Sequence, residues 1–223
     1  MSMKTEILSD PRLGVIVYKN AIAQELDIIN RLESTIGNST TMPFMWCEAL
    51  VGYSQKMPEY RDCVDCKIGQ VHIDNLHHYP QFAELKNIYN DTANAIRACM
   101  TDYQSRYNIN MEYMEAINFI RYGENQHFQV HTDHGFSYTC TVSSVVYFND
   151  NYEGGELWFP YLDLTFKPEA GDIVMFPSTF IYAHAARPVT SGVKYSGVTM
   201  FDYNDRNHDI KGSYDGVKAP ARQ

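Results

Sequence analysis

In the first half of the chain hydrophobic positions recur at helical intervals; in the second half they gather in short runs. Ile22, Leu26, Ile29 and Leu32 fall three and four apart, which predicts an amphipathic helix ending near Gly37. Gly14 to Tyr18 is β-branched and reads as a strand, and Ala49-Leu50-Val51 reads as another. From Pro80 onward, Phe82, Leu85, Ile88 or Tyr89, Ile96 and Met100 trace a second stripe, so a long helix is expected to run toward Tyr107. Both stripes are read as core contacts. After Met111 come β-branched and aromatic runs separated by Gly, Pro, Asn and Asp: Ala116–Tyr122, Val142–Phe148, Glu156–Phe159, Leu162–Phe166, Ile173–Phe176, Ala183–Val189 and Tyr195–Phe201. That succession predicts an antiparallel sandwich or barrel.

At 223 residues the chain reads as a single domain, with supporting strands and helices over 1–111, a β core over 112–203 and a polar, loosely held tail over 204–223. Hydrophobic residues make up 44%, enough for a sizeable core, and the 17 tyrosines offer both apolar bodies and hydroxyls. A formal charge of -9 argues against a broad nucleic-acid-binding surface. No apolar run is long enough to span a membrane, and Met1 to Glu6 lacks the apolar core of a secretion signal, so the expected location is the cytoplasm. Cys47, Cys63, Cys66, Cys99 and Cys140 are odd in number and lack framework spacing, which suggests free thiols. Cys63-Val64-Asp65-Cys66 has no second pair and reads as a loop with two reduced thiols.

The chemistry concentrates in His131-Thr132-Asp133, with His184 far downstream and Lys194 ten positions later. Two imidazoles and one carboxylate on one face of a metal leave positions open, an arrangement suited to non-haem Fe(II) oxygen chemistry. In a strand, side chains i and i+2 point the same way, so His131 and Asp133 can grip one ion while Thr132 and His134 face away. His184 must then arrive from another strand.

The stretch from Arg121 through Tyr122, Gly123 and Gln126 to His131-Thr132-Asp133 resembles the first half of the prolyl 4-hydroxylase active-site signature, as does Gly154-Gly155-Glu156-Leu157-Trp158-Phe159-Pro160. Lys167-Pro168-Glu169-Ala170-Gly171-Asp172-Ile173-Val174-Met175-Phe176-Pro177, and His184 to Val189 followed by Lys194, resemble its second half. Together they cover roughly Glu112 to Tyr203 in the family's order, which makes the set specific. The resemblance implies a mainly β, α+β fold: a double-stranded β-helix, the cupin-like jelly roll, with the N-terminal helices packed on one outer face. It implies an Fe(II)- and 2-oxoglutarate-dependent dioxygenase that uses O2, with ascorbate as a candidate reductant. Such an enzyme hydroxylates a prolyl residue in a peptide or protein and releases succinate and CO2.

Carried over position by position, His131, Asp133 and His184 are the metal ligands. Lys194 binds the far carboxylate of 2-oxoglutarate, and Tyr122 and Tyr147 offer hydroxyls to the same cosubstrate. One carboxylate leaves a ferrous ion with a single positive charge, a bound dianion reverses it, and a buried Lys194 restores neutrality. The segment Leu50 to Asp62 resembles the mobile finger loop that closes over substrate in prolyl hydroxylases, which makes Arg61 a substrate candidate. Arg187, where several relatives have Cys, places a permanent positive charge near the mouth. Val198 and Met200 stand where relatives often carry Thr and Trp, so a more apolar wall is expected. Two other readings stay open: the same scaffold acting on another side chain, a free amino acid or a nucleobase, and a non-catalytic cupin-like binding module.

Overall fold

The computed structural model describes residues 4–7, 10–52, 55–135 and 138–208. The chain opens with β1 (Thr5–Ile7), β2 (Ile16–Tyr18), α1 (Ile28–Ile36), β3 (Cys47–Glu48), β4 (Arg61–Asp62) and β5 (Val64–Ile68). Then come α2 (Gln70–Asp74), α3 (Glu84–Tyr107), β6 (Tyr113–Met114), β7 (Ile117–Tyr122), β8 (His127–His131) and β9 (Val142–Tyr147). It closes with β10 (Glu153–Gly154), β11 (Leu157–Phe159), β12 (Leu164–Phe166), β13 (Ile173–Pro177), β14 (His184–Ala186), β15 (Val189–Ser191) and β16 (Lys194–Asp202). Among the described residues a larger antiparallel sheet runs β1-β2-β13-β9-β16-β7-β5-β3, with β6 on β16, and a smaller one runs β12-β11-β14-β8-β4. This is the expected jelly roll.

The larger sheet is buried on both faces, and its strands read as nearly unbroken apolar runs for that reason. Ile16 and Tyr18 of β2, Ile173 and Met175 of β13, and Ile117 and Phe119 of β7 meet the helices, which contribute Ile28, Leu32 and Ile36 of α1 and Leu85, Ile88, Ile96 and Met100 of α3. The alternate positions Val17, Val174, Phe176, Val145 and Tyr147 face the smaller sheet, against Leu157 and Phe159 of β11. Each fully buried aliphatic side chain in these layers contributes about 1.5–3 kcal/mol. The chain steps from the smaller to the larger sheet at Cys63, between Asp62, which pairs with His127, and Val64, which pairs with Arg121. It steps back between Tyr122 and His127.

Several elements differ from the sequence reading. The Ile22–Leu32 stripe is cut at Asp27, whose left-handed backbone (φ 49°) separates a short 3-10 turn from α1; the buried stripe is Ile28, Leu32 and Ile36, one residue out of phase with Ile29. Ala49-Leu50-Val51 is no strand: Ala49 hydrogen-bonds to Cys63, and Val51 makes only an isolated bridge to Gln55. The Cys63–Cys66 segment is not a loop, because β5 runs through it and buries both thiols. The expected run Ala183–Val189 divides at Arg187-Pro188 into two strands. His72, read as a surface or helix-cap residue, is buried rather than at the surface but does cap α2, its ring accepting from the Gly69 amide. The tail is held through His208, whose side chain is 1% exposed, stacks on Tyr113 and reaches Asp202; the tail from residue 209 onward and part of the expected finger loop, Tyr53 and Ser54, lie outside the described residues. Among the described residues no helix is long and apolar enough to cross a membrane.

Candidate active site

His131 ends β8 and His184 begins β14, and the two stand directly opposite each other in an antiparallel pair. Opposite residues on one face of such a pair are neighbours, and these ring centroids lie 4.4 Å apart. Asp133 sits in a bend just past β8, so strand alternation alone does not aim it. Ser143 of β9 does: its hydroxyl donates to Asp133 Oδ2 at 2.5 Å and is backed by Ser178 at 2.7 Å. Asp133 Oδ1 comes within 3.6 Å of His131 Nε2, and Oδ2 within 3.8 Å of His184 Nε2. All three ligand atoms fall within 4.8 Å of one another.

Each imidazole is oriented by its own strand. His131 Nδ1 lies 2.8 Å from the Gln129 carbonyl and His184 Nδ1 lies 3.0 Å from the Tyr182 carbonyl, so Nδ1 carries the proton and Nε2 presents a lone pair to the centre. Phe128 stacks on His131 at 3.6 Å, and Phe176 meets His184 edge-on at 4.8 Å, which restrains both rings. Burial pulls His184 down to about 4, against the attraction of Asp133, so its imidazole is neutral at pH 7. Burial alone would raise Asp133, but His184, His131 and the Ser143 hydroxyl outweigh it and hold the carboxyl below its ordinary value. An Nε2 from each ring and an ionised oxygen on one face are the donor set that suits ferrous iron. His127 and His134 are turned elsewhere, toward the carbonyls of Asn125 and Glu59 and of Cys140.

The cavity beside these ligands, about 150 Å³, is walled by Ile120, Val145, Leu157, Ala186 and Val198. At its inner end stands Lys194, 3% exposed, its Nζ donating to the Gly155 carbonyl at 2.7 Å and lying 5.2 and 5.3 Å from the ring centres of Tyr122 and Tyr147. No carboxylate among the described residues forms an ion pair with it. Burial drives Lys194 down to about 7, with Lys167 adding to the effect and Glu156 opposing it. An ammonium with one neutral acceptor in an apolar wall calls for an anion, and a dicarboxylic acid fits that demand. Burial holds the phenols of Tyr122 and Tyr147 well above their ordinary range, so they remain hydroxyl donors. Gly154 and Gly155 both take positive φ, and a Cβ on Gly155 would stand 3.2 Å from Lys194 Cδ.

Arg61 reaches the same cavity from β4, its guanidinium 5.0 Å from the Phe128 ring centre, bonded to the Leu50 carbonyl and to Asp65. Arg187 is exposed and stacks over Trp158 at 4.9 Å; it does not line the cavity. Val198 and Met200 line it as expected. Sequence reasoning missed Ser143, Asp65 and Asn118. For Asn118 a signal existed, since it shares the period-two face of β7 with Ile120 and Tyr122.

The jelly roll and its His-Asp-His face define the class of Fe(II)- and 2-oxoglutarate-using oxygenases. Residues 117–202 match the family model described as the 2OG-Fe(II) oxygenase superfamily, a match that supports a prolyl 4-hydroxylase-like 2OG oxygenase. It is 32% identical over 99 residues to a PKHD-type hydroxylase of Crocosphaera subtropica, a match covering 39% of this chain and 42% of the relative. The chain thus aligns with less than half of that curated relative's length. In fold it is similar to a Trichoplax adhaerens prolyl hydroxylase solved with a hypoxia inducible factor oxygen degradation domain peptide fragment (TM-score 0.65, 14% identity, 86% and 84% of the two chains). It is likewise similar to a Pseudomonas putida prolyl-4-hydroxylase (TM-score 0.61, 15% identity, 87% and 95% of the two chains).

Proposed function

We propose that the protein is an Fe(II)- and 2-oxoglutarate-dependent dioxygenase that hydroxylates a prolyl residue in a peptide or protein, with succinate and CO2 as co-products. The observation that carries this reading is the buried Lys194 ammonium, without a carboxylate partner among the described residues, in the same cavity as His131, Asp133 and His184. His131 Nε2, His184 Nε2 and an Asp133 oxygen would hold the metal. Lys194 would hold the far carboxylate of 2-oxoglutarate, with the hydroxyls of Tyr122 and Tyr147 beside it. When bound, iron and 2-oxoglutarate supply the chemistry that inserts one oxygen atom of O2 into a C–H bond.

The chain's own residues bind, orient and exclude water. The Gln129 and Tyr182 carbonyls keep both imidazoles in the metal-binding tautomer. Val145, Leu157 and Val198 keep the cavity apolar, which strengthens the attraction between Lys194 and a bound dianion. The prolyl acceptor is favoured by the prolyl hydroxylases among the structural neighbours. Arg61, inside the cavity, takes the substrate role read from sequence, whereas Arg187 has a place only at the outer surface.

The test is to incubate the iron-loaded protein with 2-oxoglutarate and a panel of proline-containing peptides. The expected result is a mass gain of about 16 daltons on peptide, with succinate formed in step. Succinate formation without any modified peptide would keep the dioxygenase and sink the prolyl acceptor.

A further inference from the structure

Asp65 projects from β5 between two cavity-lining side chains and ties them together. One of its oxygens, Oδ2, accepts from Arg61 Nη2 at 2.9 Å and from Asn118 Nδ2 at 3.1 Å. Arg61 Nη1 is taken by the Leu50 carbonyl at 2.7 Å. Two atoms of the pair are left buried without a hydrogen-bond partner: Arg61 Nε, a donor, and Asn118 Oδ1, an acceptor. A buried polar atom left unpaired is costly, so two on one cavity wall point to something that satisfies them. The amide of Asn118 cannot simply be turned over, because Asp65 Oδ2 requires the Nδ2 donor on its side.

The position of the pair narrows the ligand. Along β16 the cavity runs from Lys194 through Ser196 and Val198 to Met200, and Asn118 pairs with Val198, away from the Lys194 end. Arg61 stacks over Phe128, which stacks on His131. The 2-oxoglutarate dianion offers only acceptors, and Asn118 Oδ1 together with the Asp65 carboxylate would repel it. A ligand that suits both free atoms presents one carbonyl oxygen and one N–H, side by side.

We infer that Arg61 and Asn118, held in register by Asp65 as a positioning residue, form a backbone-reading subsite for the acceptor peptide. Arg61 Nε donates to a main-chain carbonyl and Asn118 Oδ1 accepts a main-chain N–H. This deepens the reading above and rests on it. A proline nitrogen bears no hydrogen, so the N–H comes from a residue flanking the acceptor. Main-chain recognition of this kind sets the orientation of the chain in the slot and leaves the flanking side chains little constrained.

Binding is measured anaerobically, with iron and 2-oxoglutarate present, on fluorescently labelled proline-containing peptides and on matched versions in which one flanking N–H at a time is replaced by an ester oxygen. At one position the ester weakens binding to the wild type about tenfold. Asn118→Leu weakens binding of the amide peptide by a similar factor, and at least tenfold more than it weakens 2-oxoglutarate binding. In that variant the ester costs nothing further. Asp65→Asn weakens peptide binding too, and Asp65→Asn combined with Asn118→Leu is no worse than Asn118→Leu alone, a non-additivity that a purely structural role would not produce. Asn118→Met guards against a folding defect peculiar to Leu. Peptide binding unchanged in both Asn118 variants, an ester penalty that persists in them, or a larger loss for 2-oxoglutarate than for peptide would overturn the subsite and leave the dioxygenase standing. Failure of the wild type to bind any peptide, with 2-oxoglutarate still decarboxylated, would overturn the peptide acceptor and this subsite with it.

Discussion

Lys194 is the most exposed to test of all the side chains in the cavity, because its two duties pull in opposite directions. Without a ligand its charge is a burden, and with 2-oxoglutarate bound as proposed the same charge would be the anchor. Lys194→Ala is expected to weaken 2-oxoglutarate binding by roughly 2–5 kcal/mol with metal affinity far less affected, as read by calorimetric titration of each, and Lys194→Arg to retain part of it. Lys194→Met is expected to stabilise the ligand-free protein. The folded-state value of about 7 lies below the ordinary 10.5. The unfolded chain therefore holds more protons across that window, and the penalty is full below pH 7 and fades as pH rises toward 10. At pH 6 the penalty is on the order of 4 kcal/mol. Melting curves of Lys194→Met and wild type should stand furthest apart near pH 6 and converge toward pH 10. The same linkage predicts that 2-oxoglutarate affinity falls up to about tenfold per pH unit above 7, where binding must take up a proton.

The turn and strands that deliver these side chains set the second scale. Gly155 holds a positive φ of 66° in the link from β10 to β11, and its carbonyl caps Lys194. Gly155→Ala forces an unfavourable backbone and crowds Tyr152 at 2.9 Å, so a loss of about 1–3 kcal/mol in denaturant unfolding is expected, together with weaker 2-oxoglutarate binding. Ser143→Ala on β9 frees the Asp133 carboxylate and should lower metal affinity about 10–100-fold in a competition titration, with the fold intact. The strand bearing His184 falls within the expected run Ala183–Val189, whereas that of His131 was marked only by the metal-ligand spacing, since no apolar run announces it. β5 was marked by neither. Its residues Asp65 and Lys67 alternate with Val64, Cys66 and Ile68, but the polar pair serves the interior: Lys67 lines the cavity and Asp65 bonds the cavity-lining Arg61 and Asn118, which runs against the usual code of apolar inside and polar outside. The break at Asp27 was hidden for another reason: a left-handed aspartate leaves no mark on hydrophobic spacing. Asp133 comes to the two imidazoles although its assumed strand ends two residues early, because Ser143, far away in sequence, supplies the aim.

For the whole molecule, the proposed ligands would join the two sheets. His131 and His184 stand on the smaller sheet, Lys194, Tyr122 and Tyr147 on the larger, so cosubstrate and metal held as proposed would together tie the layers. At 100 times their dissociation constants each saturating ligand adds about 2.7 kcal/mol. For a chain of this size that corresponds to a rise in melting temperature of roughly 5–11 °C, to be read by differential scanning calorimetry with and without metal and 2-oxoglutarate. The step of the chain between sheets at Cys63 has a further effect on traffic. Asp62 and Val64 belong to different sheets yet are separated by only two Cα–Cα links of about 3.8 Å each, less than the usual ~10 Å between packed sheets. The Tyr122–His127 crossing lies at that same end, and so does Lys194, opposite Tyr122. The slot is therefore a cul-de-sac with Lys194 at the blind wall and the His131, Asp133 and His184 face nearer the street. Whatever docks against Lys194 must enter first, and an acceptor that came early would bar the way.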